Sequence, residues 1–376
     1  MRGASCVLLA ASLVCAEAGQ LKREGAYWVE VVTGSMPLMS TAQFRIGTVG
    51  GVAVRGAADG RVNYVLRKRV RARSEAQAQR LLTGVRISTA RTLTVLQPPN
   101  HPAWVDLEVR LPRGLRLVAV RTRAGDLSFA GLDGSIDVES LAGNLTIDEI
   151  GGGVAAKTGG GEIRIGRVGG PLRCVSGGGS IRVVRSGGEA WLETRGGEVY
   201  VGESGGPVHA ATAGGNIVVE RAGSWVSANT AAGRIEVQHA RGAVSAENSG
   251  GSIEVGPAAG ARVEASGGAI RLRGTSGALR AATDVGSIRA ELIRGVMLKD
   301  SLLSTGGGDV TVFIPSNLAL TVKAQNPAGR PARIVSDFPD FLHRTAAAIL
   351  EGSLNGGGPV LTISASGGTI YLREQR

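Results

Sequence analysis

Between Arg121 and Thr305, apolar and polar residues alternate in short runs that recur every 18 residues. One apolar column runs Leu127, Leu145, Ile163, Ile181, Val199, Ile217, Ile235 and Ile253, and after a one-residue deletion it resumes at Ile270 and Ile288. Two residues further on stand Phe129, Ile147, Ile165, Val183, Val201, Val219, Val237, Val255, Leu272 and Ala290. Alternation of this kind marks a strand with one buried face. The second half of each unit repeats it with smaller residues, in the columns Ile136, Val154, Leu172, Ala190, Val208, Val226, Val244 and Val138, Ala156, Cys174, Leu192, Ala210, Ala228. Two short strands per 18-residue unit make one coil. Neither strand can bury its apolar side alone, so the pattern predicts about ten coils stacked at roughly 4.8 Å. The expected fold is all-β, a parallel β-solenoid with two facing sheets.

Glycine marks the corners of the coil. It stands at 125, 143, 161, 179, 197, 215, 233 and 251, then at 268 and 286, with a second row nine residues out of phase that only Ser224 interrupts. A sharp turn favours a residue without Cβ, so positive φ is expected at these corners. Ahead of the corner runs Ser140, Thr158, Ser176, Thr194, Thr212 and Thr230, whose hydroxyls can bond backbone groups freed by the bend. Periodicity also disposes of low complexity as an account of 59 glycines in 376 residues, and the 3% aromatic content suits a thin aliphatic core.

The flanks read differently. Residues 1–18 have the form of a signal peptide: Arg2, an apolar run from Ala4 to Val14, and the small-x-small Ala16, Glu17, Ala18, with cleavage expected after Ala18. Lipidation at Cys15 is the rival, and it lacks a small residue just ahead of the cysteine. No later stretch reaches the ~20 apolar residues of a membrane span. Export to the periplasm, the outer surface or the medium is the expectation. Residues 19–112 form an N-terminal β-rich cap, with a strand over Arg61–Arg73 and a short helix begun by Ser74 and Gln77. Residues 113–305 hold the repeats. Residues 306–376 form the solenoid end and a C-terminal cap, with a second short helix expected over Phe338–Leu350 and a terminal coil motif at Ser366–Leu372. Caps are required because a terminal coil exposes apolar surface and unpaired strand edges.

The recurrent Thr/Ser-x-x-Gly-x-Ile-x-Val units, the entry Val109–Gly114 and the closing Ser366–Leu372 resemble the bacterial putative-adhesin β-solenoid family, a domain of unknown function. The resemblance covers roughly Val105 to the C-terminus. It implies a right-handed parallel β-helix, export to the cell envelope and no established catalytic residues.

Candidate chemistry is sparse. Calcium-binding rolls need aspartate where this chain has Leu127, Leu145 or Ile163. The histidines, His101, His209, His239 and His343, have no ligand spacing, so neither a metal nor a cofactor is expected. Glu236 and Glu254 form the one outward acidic pair on adjacent coils, beside Arg271 and Arg289, and a charge ladder accounts for them as well as an acid/base pair does. Once residues 1–18 are removed, Cys174 is the remaining cysteine, on an inward column. Two outward columns could take a ligand: Arg173, Trp191 and His209 on one strand, and Arg164, Arg182 and Tyr200 on the other. An aromatic face beside arginine suits a sugar ring with an acidic group, or a self-contained cation-π ladder. Arg67, Arg69, Arg71 and Arg73 form the densest basic run, a solvated edge or an anion-binding stripe.

The formal charge of +11 fits anionic envelope polymers as partners without selecting one, and nucleic acid is not expected. The leading expectation is a non-enzymatic, exported interaction or adhesion scaffold of the bacterial envelope whose partner is a polysaccharide or a protein. The alternatives are a carbohydrate-active enzyme on acidic polysaccharide and an envelope-stress or signalling component.

Overall fold

The computed structural model describes residues 15–38, 43–88, 93–98, 100–293, 298–327, 333–339, 341 and 348–375. It is a β-solenoid of about 11 stacked parallel coils, one more than the repeat count predicts. The chain divides into two compact units, Met1–Thr158 and Gly159–Arg376.

In the first unit, strands Leu117–Thr122, Ser135–Ser140 and Val154–Thr158 pair in parallel in one sheet, and Leu127–Leu132 pairs with Leu145–Ile150 in the other. Pairing partners are 18 residues apart, as Leu127 and Leu145 are, so every apolar column stacks on itself and is buried. The N-terminal region supplies coils of its own. Phe44–Gly47 and Gly51–Ala57 pair in parallel with Leu117–Thr122 and Leu127–Leu132, and Trp104–Pro112 then stacks on Gly51–Ala57. An earlier stretch of chain is thereby inserted between two later ones. Beyond Trp104–Pro112 the pairing turns antiparallel, through Arg61–Val70 and then Tyr27–Pro37, and these strands close the edge. Cys15–Ala18, the end of the expected signal segment, pairs antiparallel with Val32–Ser35, whereas residues 1–14 lie outside the described residues.

The second unit is built of the same kind of coil, from Ile163–Val168 to Val310–Pro315. Its end repeats the insertion. The terminal coil, Val360–Ala365 and Ile370–Gln375, pairs with Ser301–Thr305 and Val310–Pro315 on one side and with Leu320–Gln325 and Ile334–Ser336 on the other. The closing motif is therefore a coil held between two others rather than the outermost cap. Ile349–Leu354 pairs antiparallel with Leu320–Gln325 at the edge.

Among the described residues there is one α-helix, Glu75–Leu82, whose N-cap Ser74 accepts from the Gln77 amide and whose Ala78 and Leu82 are buried. The second helix expected over Phe338–Leu350 falls largely outside the described residues, and its last two residues, Ile349 and Leu350, are strand. The basic strand is also shorter than the charge pattern suggests. It ends at Val70, leaving Arg71 and Arg73 beyond it.

At most corners glycine serves a purpose other than the expected one. Gly125, Gly143, Gly260 and Gly277 have φ of +101°, +127°, +157° and +76°, but Gly179, Gly197, Gly215, Gly233 and Gly251 are not in the positive-φ region. What excludes a side chain there is the coil beneath. A Cβ on Gly197 would stand 2.5 Å from the Ser180 amide nitrogen and fall on the Gly179 carbonyl. The buried corner hydroxyls exploit the same closeness. Thr194, Thr212 and Thr230 each donate to the carbonyl of the glycine 15 residues earlier, Gly179, Gly197 and Gly215, at 2.8, 2.9 and 2.9 Å. Thr212 Oγ1 also accepts from the Gly215 amide of its own coil at 3.2 Å. One hydroxyl thus joins two coils at each step. Gly197→Ala is expected to cost about 1–3 kcal/mol through backbone overlap. Gly214→Ala, where nothing lies within 4 Å of the added Cβ, should stay within about 0.5 kcal/mol of the parent protein. Denaturant unfolding midpoints of the two variants check the contrast.

Candidate functional site

Parallel stacking brings each predicted column together in space. Arg173, Trp191 and His209 are direct partners on Leu172–Ser176, Ala190–Thr194 and Val208–Thr212. The Arg173 guanidinium lies 5.3 Å from the indole centroid, and the His209 ring stacks at 4.0 Å with an interplanar angle of 27°. Because the two neighbours belong to the coils on opposite sides of Trp191, they cover both faces of the indole. Its Nε1 donates to Glu193 Oε1 at 2.6 Å. The ladder is closed on itself.

On the opposite sheet Arg164, Arg182 and Tyr200 are likewise successive partners. Arg182 sits 4.1 Å from the Tyr200 centroid, Val218 occupies the next coil, and the phenol donates to Glu220 Oε1 at 2.6 Å. That hydrogen bond, followed by partial desolvation and the Glu220 charge, raises the Tyr200 pKa above the ordinary tyrosine value. Arg164 is paired with Glu162 at 2.5 Å.

The basic run is mostly answered. Arg67 pairs with Glu24, Arg69 with Asp106 at 2.5 Å, and Arg71 lies 4.9 Å from the centroid of Tyr27, while Arg73 is exposed. Lys68, which the sequence reading passed over, continues the buried face of Val62, Tyr64 and Leu66 and is matched by Glu30 at 3.0 Å. A buried lysine of this kind needs its partner, since an uncompensated buried charge costs several kcal/mol.

The acidic pair Glu236 and Glu254 is embedded in arginine, and it is not the one such pair, because Glu247 and Glu264 are also direct partners on successive strands. Arg234 reaches both carboxylates, at 2.7 and 3.1 Å, and Arg273 reaches Glu254 at 3.2 Å. Among the described residues no group of three His, Cys, Asp or Glu side chains could hold a metal ion. Cys174 is fully buried, and burial pushes its thiol up, away from the reactive thiolate. No helix among the described residues is long and apolar enough to cross a membrane.

One surface outside the predicted columns differs from all of these. Trp225 is 43% exposed, and among the described residues no ring or guanidinium stacks on it. It opens a groove of about 410 Å³ on the outer face of the second unit. A sequence signal for it exists: Trp225 directly follows Ser224, the one break in the second glycine row.

The fold and its surface define a class: a parallel β-solenoid whose outward columns are ion-pair and cation-π ladders. A solved putative adhesin from Bacteroides fragilis is similar to 92% of this chain over 97% of its own, with 12% identity and a TM-score of 0.23. A putative cell adhesion protein from Clostridium sporogenes is similar to 96% of this chain over 100% of its own, with 8% identity and a TM-score of 0.20. No protein-family model and no curated protein matches the chain.

The Tyr200 contacts yield a measurable outcome. Glu220→Gln removes the carboxylate that holds the phenolic proton, so the Tyr200 pKa should fall back toward the ordinary value. An absorbance titration of the variant against the parent protein, read as the phenolate forms, checks the direction.

Proposed function

We propose that the protein is a non-enzymatic interaction scaffold of the adhesin kind, exported to the bacterial envelope, that presents its outward columns and grooves to a polysaccharide or protein partner. The observation that carries this reading is the fate of the polar side chains. The acidic pair nearest to an acid/base arrangement, Glu236 and Glu254, is neutralised by Arg234 and Arg273, and the aromatic columns are satisfied within the fold. General acid catalysis needs a carboxyl free to meet its substrate, and these two carboxylates are engaged in ion pairs within the fold. Residues arranged this way stiffen a surface. Export is supported by the charged start, apolar run and small-x-small motif of residues 1–18.

The test has two arms. Purified protein is expected to bind isolated bacterial envelope material saturably, with salt sensitivity, and to leave acidic polysaccharides undegraded. Polysaccharide turnover that disappears in Glu236→Gln or Glu254→Gln would overturn the reading in favour of a carbohydrate-active enzyme.

A further inference from the structure

We propose that the groove beside Trp225 is a binding site for an acidic oligosaccharide, with one sugar ring on the indole and the carboxylate of a sugar farther along its chain at Arg280 and Lys299. Trp225 sits where each coil enters its second strand. The residues in the same position of the following coils are Ala243, Gly260 and Ala278, and all line the groove. Three small residues in succession leave a trench beside the indole that longer side chains would fill. This is why Trp225 keeps an open ring face while Trp191, set between arginine and histidine, has none.

The floor is polar in a graded way. Ser227, Ser245, Arg262 and Arg280 are direct partners on four successive strands, a row three strand spacings or roughly 14 Å long. Among the described residues, the hydroxyls of Ser227 and Ser245 have no hydrogen-bond partner, and Arg280 and Lys299 have no ion pair. On these coils Arg234, Arg271, Arg273 and Arg289 are each matched by a carboxylate, and Arg262 itself pairs with Glu264 at 2.9 Å. Glu247 and Glu264 lie two residues further along their strands, outside the groove lining. The row that carries them reaches Ala282 beside Arg280, so among the described residues that row sets no carboxylate against Arg280. The groove therefore offers an aromatic platform at one end, free hydroxyls along the middle and two uncompensated cations at the other.

That sequence of groups matches a short chain of sugar acids. Successive pyranose rings present an apolar C–H face to the aromatic ring, hydroxyls to serine and, at the far end, a carboxylate to arginine and lysine. A single-stranded nucleic acid would draw on repeated aromatic platforms between cations, and here there is one ring. The volume of about 410 Å³ lies within the range of small-ligand sites.

The inference rests on the interaction-scaffold reading and is tested apart from it. Calorimetric titration of the full chain with a trigalacturonate should give saturable binding, and a neutral maltotriose should give none. Trp225→Ala, and separately Arg280→Ala with Lys299→Ala, should each weaken binding about tenfold or more. Trp104→Ala, which removes a 65% exposed tryptophan in the other unit, should leave binding unchanged. All these positions are exposed, and thermal unfolding of each variant confirms that loss of binding is not loss of fold. Absence of saturable uronate binding, indifference to Trp225→Ala, or tighter binding of a short single-stranded oligonucleotide would each overturn the proposal. If the uronate fails while envelope material is still bound, the groove assignment falls and the scaffold reading stands. If both fail, both fall.

Discussion

Everything in this molecule depends on how closely one coil lies on the next at the corner. Ladder hydrogen bonds bring strands to their ordinary spacing, but the turn must nest on the turn beneath it as well. Gly197 can do so because it has no Cβ to strike the Gly179 carbonyl. The same contact puts that carbonyl within reach of the Thr194 hydroxyl, which satisfies a group the bend would otherwise leave buried and unpaired. Glycine and threonine at the corner are two halves of one device. Remove the glycine and the coils separate; remove the hydroxyl and a carbonyl is stranded.

Once the coils are locked in register, outward side chains have little choice of neighbour. Each faces the side chain 18 residues away in sequence, on the next strand, at a distance where like charges repel and cation and ring attract. The pairing of Arg182 with Tyr200 follows from that geometry, while Arg234 reaches Glu236 on its own coil and Glu254 diagonally on the next. Such ladders reinforce the stack and consume the chemistry of their members. The surface left over is where the column runs to small residues, and the trench of Ala243, Gly260 and Ala278 beside Trp225 is of that kind.

The two chain ends solve a shared problem in a shared way. A solenoid cut off at its last coil would present open strand edges and an apolar cross-section. In the first unit Phe44–Gly47 and Gly51–Ala57 are tucked between coils that come later in sequence, and in the second unit the C-terminal Val360–Ala365 and Ile370–Gln375 are tucked between coils that come earlier. Antiparallel strands then cover the edge, Arg61–Val70 and Tyr27–Pro37 in one unit and Ile349–Leu354 in the other. Insertion ties each end into the stack through long-range contacts, so that neither can peel away as the last member of a simple series.

The coil itself was legible in the amino-acid sequence, because a repeat of 18 with period-2 alternation has few ways to bury its apolar columns, and register follows from the count. The stacking partners Arg173, Trp191 and His209 were legible for the same reason. The order of the end coils was not, since insertion is decided by contacts across more than fifty residues and leaves no local periodicity. Nor was the reason for glycine at the corner: a positive φ and a close approach select the same residue, and only the position of the neighbouring carbonyl tells them apart. Trp191 lies inside its strand, Ala190–Thr194, and Trp225 just ahead of Val226–Thr230, and residue type alone does not say which ring is covered. Their difference was set by the tertiary structure, which places arginine and histidine against the two faces of one ring and alanine and glycine beside the other.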